Sequence, residues 1–161
     1  MVSQIIIGSV LLVLLGVITF VFFYNKRKRQ ESREVVENNL IGDEIIITRI
    51  VKDYMDVQIP VIIVRSPNDE IPHYANRTWD QIEYLHGVSA KAFYNPELKH
   101  VCVRKWVLSD PKQEISNHIY FKLLVHEFNH HRGYHHGSDM TKEDIRLTND
   151  ILPLLEDYRL I

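Results

Sequence analysis

Hydrophobic patterning divides this chain into three kinds of stretch. Residues 5 to 24 are an unbroken run of 20 residues without a charge, dominated by Ile, Leu, Val and Phe. From Asp43 to Val57 the pattern changes: Ile46, Ile47, Ile50, Val51 and Tyr54 recur at spacings of three and four. That period predicts an amphipathic helix, with Asp43 as its candidate cap. Pro60 breaks the period, and Val61-Ile62-Ile63-Val64 is a β-branched run of the kind that forms a buried strand. Ser66-Pro67-Asn68-Asp69 reads as a turn, and Asp69 to Arg77 reads as a loop. Trp79, Ile82 and Leu85 predict a brief helix that ends before Gly87. Lys91–Tyr94 and His100–Val107 read as two strands around the turn-rich Asn95-Pro96-Glu97-Leu98.

A third helix is expected from about Ile115 to His131. Ile119, Tyr120, Leu123, Leu124, Val125 and Phe128 cover most of its circumference, while His118, Lys122 and Asn129 share a narrow polar strip. A helix this apolar belongs in a core. Thr141-Lys142-Glu143-Asp144 opens a last helix with a cap-like Thr. Its apolar residues, among them Ile145, Leu147, Ile151 and Leu155, are expected to close the core, with Pro153 kinking or dividing it.

The buried-helix pattern contains a chemical one. His126-Glu127-Phe128-Asn129-His130 is an H-E-x-x-H sequence. Residues four apart stack on one face of a helix, so His126 and His130 can offer two imidazole nitrogens to one ion. Glu127 points about 100° away, at the edge of that face, where it can reach a water without being a ligand. Neutral imidazole is a good zinc ligand near pH 7. A catalytic zinc takes three protein ligands and leaves a fourth position open. Gly133 stands where the helix should end and tolerates a positive φ, so a turn there can swing His136 back to the same ion. His135, Asp139 and Glu143 are the alternatives for that third position. Five of the nine His lie between residues 126 and 136, so an accidental His-rich tract is the competing reading; Glu127 and Gly133 in register argue against it.

Taken together, His126 to His136 complete H-E-x-x-H-x-x-G-x-x-H, and here the chain resembles the metzincin clan of zinc peptidases. It is also similar to compact zinc proteases of the WLM type, whose third His falls at the same distance, and more loosely to SprT-like proteases. The resemblance covers the eleven-residue motif and its flanking elements. It implies Zn2+ at His126, His130 and His136, with Glu127 as general base in peptide-bond hydrolysis. It also implies an α+β fold with a minimal zincin-like domain of short sheet, active-site helix and C-terminal closing helix. In zincins an edge strand beside the active-site helix pairs with extended substrate, and one of the two strands between Lys91 and Val107 is the candidate for that role.

Charge and cysteine content bear on location. Lys26, Arg27, Lys28 and Arg29 form a basic block directly after the apolar run. Twenty apolar residues suffice to cross a ~30 Å hydrocarbon core, and no Lys or Arg precedes residue 26 as a signal peptide would require. The expectation is a transmembrane anchor at 1–25, a basic juxtamembrane linker at 26–42 and a metallopeptidase domain at 43–161. Positive residues favour the cytoplasmic side, which would put the N-terminus outside and the catalytic domain in the cytosol. The net charge is −2, and without the basic block 15 basic residues face 21 acidic ones, so nothing suggests a nucleic-acid surface on the folded part. The single cysteine, Cys102, precludes an internal disulfide, and its place in an apolar run makes it a buried strand residue. The expected partner is a protein or peptide substrate. The alternative function is a non-catalytic, membrane-anchored interaction module with a structural or vestigial zinc site.

Overall fold

The computed structural model describes residues 40–71, 77–86, 90–107 and 109–161. All belong to the second of the chain's two units, Glu37–Ile161. Its elements follow in the order α1 (Asp43–Met55), β1 (Val61–Val64), α2 (Trp79–His86), β2 (Ala92–Asn95), β3 (His100–Arg104), β4 (Trp106–Val107), β5 (Asp110–Glu114), α3 (Asn117–His131) and α4 (Ser138–Asp157).

Three strands form the main sheet in the order β1-β3-β2, with β1 parallel and β2 antiparallel to the central β3. Strand side chains alternate between faces, and both faces are covered. Val61, Ile63, Ala92, Val101 and Val103 face a core built with Ile47 and Val51 of α1, Tyr120, Phe121, Leu124, Val125 and Phe128 of α3, and Leu147, Ile151 and Leu155 of α4. On the opposite face Phe93 meets Trp79 at 5.2 Å between ring centroids, and Trp79 meets Trp106 edge-on at 5.9 Å. A sheet buried on both sides explains why β1 and β3 read as continuous apolar runs rather than as alternations.

A buried ionic group ties the start of α1 to the sheet. Glu44 accepts from both terminal nitrogens of Arg65, at 3.1 and 2.7 Å, and its Oε1 lies 3.2 Å from Lys105 Nζ. Beside it Thr48 Oγ1 and Tyr120 Oη share a hydrogen bond of 2.7 Å that joins α1 to α3.

Several expectations are corrected here. Asp43 does not cap α1: Gly42 holds the cap position, Glu44 accepts from the Ile41 N–H, and Asp43 accepts from Asn117 Nδ2. The strand expected over His100–Val107 breaks at Lys105, and its last two residues pair instead with β5, which the pattern does not predict. The closing helix begins at Ser138, and Pro153 lies inside it without dividing it. Proline deprives the carbonyl four residues back of its partner. Here that residue is Asn149, which is exposed, so water can take the bond.

The expected fold class and location are also corrected. The described residues form a mixed helix-and-strand unit with one three-stranded and one two-stranded sheet, and none of its helices is long and apolar enough to cross a membrane. The longest, α4, has 20 residues, but it carries Glu143, Asp144, Arg146 and Asp150. The apolar run at 5–24 and residues 26–39 of the linker lie outside the described residues. The single-pass assignment and the orientation built on it are therefore withdrawn.

Candidate metal centre

Helix α3 is fixed at both ends. Ser116 caps its start, with Oγ accepting from the Ile119 N–H. At the other end Tyr134 N–H donates to Asn129 O at 3.0 Å and Gly133 N–H to His130 O at 3.1 Å. Those two bonds make a Schellman stop, which needs a left-handed residue at its penultimate position. Gly133 supplies it with φ +94. Between the ends Tyr120, Phe121, Leu124, Val125 and Phe128 are buried, so the polar residues of the last two turns stand on a rigid support.

The stop turns the chain back on itself and brings in His136. The ring centroids of His126, His130 and His136 lie 5.0, 5.3 and 4.6 Å apart, and one ring nitrogen from each falls within 4.8 Å of the others. These three His are close enough to hold a metal ion, and among the described residues they are the one such group.

Two of the imidazoles are set in a ligand-competent form. His130 Nδ1 lies 3.0 Å from Tyr134 O, a group that can only accept, so Nδ1 carries the proton and Nε2 keeps its lone pair. His126 Nδ1 lies 2.8 Å from Asp144 Oδ2, with the same consequence. Burial holds His130 below the usual imidazole range, and the neighbouring His126 and His136 add to that against the Tyr134 carbonyl; a neutral ring is the form that binds a metal. Asp144 is itself held, since its other oxygen accepts from Asn129 Nδ2 at 2.7 Å. Asn129 Oδ1 in turn accepts from Arg132, which also donates to Glu143. Three imidazoles, two with their protons directed away from the cluster by acceptors behind them, suit a borderline divalent ion with one coordination position left over.

Glu127 lies beside this cluster and is buried, with 5% of its surface exposed. Burial pushes its carboxyl up to about 7, opposed by the nearby His126 and by a hydrogen bond from the Tyr94 backbone N–H, with Asp144 adding to the rise. A carboxyl balanced near neutrality can both take and return a proton.

The remaining candidates have other partners or positions. Glu143 accepts from Arg146 and Arg132, and the Arg146 hydrogen bonds hold its carboxyl down to about 2 against desolvation. Asp139 is exposed beside Lys142, and His135 is exposed and outside the three-His group. His131 bonds Tyr94 rather than joining the cluster. Tyr134 contributes its carbonyl, while its ring lies under Arg132 at 5.7 Å; Tyr158 is exposed. His118 packs against Phe121, His100 is buried in β3, and His73 lies outside the described residues.

Sequence reasoning missed Asp144, Asn129 and Tyr94. Asn129 carried a signal, being a polar residue in the apolar part of a buried helix. Asp144 and Tyr94 carried none, because only the packing of α4 and β2 on α3 brings them there. No protein-family model matches the chain, and no curated protein or solved structure is detectably similar to it.

Proposed function

We propose that this protein is a zinc-dependent endopeptidase with His126, His130 and His136 as ligands and Glu127 as general base. The observation that carries the reading is the three-His group with a buried carboxyl next to it in sequence, whose ionisation burial shifts to about 7. Zinc is preferred because tetrahedral nitrogen coordination with one open position is its habit. When bound, zinc lowers the pKa of water from 15.7 to roughly 7 and polarises a substrate carbonyl. Glu127 accepts the proton of the attacking water and returns it to the leaving amine. Asp144 and the Tyr134 carbonyl keep His126 and His130 in one tautomer throughout.

The edge of the sheet supports a peptide as substrate. Strand β2 is at the end of the order β1-β3-β2 and packs against α3. An extended segment can add to it as a further strand, through the outward-facing backbone groups that Glu127 does not occupy and without regard to side-chain identity. Cleavage of fluorescein-labelled casein tests the reading. Wild-type protein should cleave it, and Glu127→Gln should retain zinc and lose about three orders of magnitude in rate, in the range set by removing a general base. Zinc retained without any wild-type turnover would make the ion structural.

A further inference from the structure

Tyr94 is joined to α3 at two points. Its hydroxyl lies 3.0 Å from His131 Nδ1, with the two rings edge to face at 5.4 Å between centroids. Its backbone N–H donates to the Glu127 carboxylate. Glu127 and His131 are four residues apart and so share one face of the helix. That face is adjacent to the one carrying His126 and His130.

The amide is free to do this because of the strand's register. Lys91 O accepts from Arg104 N–H across the β2–β3 pair. In an antiparallel ladder the inward-bonding residues alternate. Phe93 and Asn95 therefore bond to β3, while Ala92 and Tyr94 turn their N–H and C=O groups towards the open edge. The Tyr94 N–H would otherwise need water. Instead it is a donor to a carboxylate that is 5% exposed.

We propose that Tyr94 and His131 form a clamp that fixes the edge strand against α3 and so holds the Glu127 carboxylate in one position. Both are positioning residues, and the proposal rests on the peptidase reading only in taking Glu127 as the base. The helix rise sets the two anchor points about 6 Å apart. A tyrosine spans that distance from amide to hydroxyl, and a shorter side chain does not. With one anchor the strand could pivot about the other; with both its distance from the helix and its position along it are set. The consequence is that the tyrosine hydroxyl, bonded to a histidine outside the three-His group, governs the reactivity of the base.

The test uses the full chain with zinc chloride and three variants: Tyr94→Phe, His131→Ala and His131→Asn. The last places an amide head where Nδ1 stood and should restore the bond. Amide hydrogen exchange reads the clamp without any need for activity. The Tyr94 amide should be protected in the wild type and exchange about tenfold faster in Tyr94→Phe and His131→Ala. The Phe93 amide, paired with β3, should be unchanged, which shows that the strand still folds. On labelled casein the same two variants should lose about tenfold in kcat with KM within about twofold, and His131→Asn should recover it. The exchange pattern without wild-type cleavage would leave the clamp standing and sink the peptidase reading. Tyr94 exchange that is unchanged in both variants would overturn the clamp, and so would an active wild type whose kcat neither variant lowers.

Discussion

His126 Nδ1 and Asp144 Oδ2 are 2.8 Å apart although they stand on different helices, α3 and α4. The carboxylate fixes which imidazole nitrogen is free, and Asn129 Nδ2 holds the carboxylate from its other side at 2.7 Å. The closing helix thus supports the three-His group as well as the core.

Asp144→Asn should therefore weaken zinc binding by about tenfold to a hundredfold, the range usual for partners behind a ligand. Competition with a chromophoric chelator measures this. Unaltered affinity would mean that His126 is oriented by helix packing alone.

Gly133 has open space around the position of a Cβ, so its constraint is conformational rather than steric. At φ +94 an L side chain is strained. Gly133→Ala should cost about 1–2 kcal/mol in urea unfolding. It should also lower zinc affinity, because the turn that returns His136 begins there. A variant as stable as the wild type would show that the turn adapts.

Glu44 supplies a pH dependence of stability. Burial alone would raise its carboxyl, but the Arg65 hydrogen bonds, the Ile41 N–H and the charge of Lys105 together hold it below its ordinary value of 4.5. A carboxyl lowered by folding adds stability above its unfolded pKa, and that stability is lost as the pH falls through the folded value. Glu44→Gln leaves the buried Lys105 with only the exposed Glu114 carboxylate, 4.0 Å away, at a cost of about 3 kcal/mol at pH 7. Urea midpoints taken from pH 7 down to pH 3 should show the gap between the two proteins narrowing below about pH 4.5. A gap independent of pH would assign the loss to packing instead.

Cys102 is fully buried in β3, and burial first, then the nearby Glu127, pushes its thiol well above the ordinary range. It should not react with a thiol-specific dye in the native protein and should react at once in denaturant. Rapid native labelling would show that β3 opens.

The helices and the apolar strands were legible because their signals are local. Ile47, Ile50 and Val51 do form the inward stripe of α1, and Val61–Val64 is a strand throughout. The placing of Gly133 at a helix stop followed from its lack of a side chain. Strand β5, Asp-Pro-Lys-Gln-Glu, was not legible: its residues are polar and strand-poor, and only pairing with Trp106 and Val107 makes it extended. The three histidines that could hold a metal ion lie within eleven residues, so spacing and one turn bring them together. Asp144 of α4 behind His126, and Tyr94 of β2 beside Glu127, reach the site only through tertiary packing, which is not written in spacing.

The most direct test is the metal content of the full chain after exposure to zinc and removal of the excess. One zinc per chain is expected, lost in His126→Ala, His130→Ala and His136→Ala alike and retained in Glu127→Gln. A folded wild-type chain that binds no zinc, or a His136→Ala variant that binds it as tightly as the wild type, would contradict the three-histidine centre.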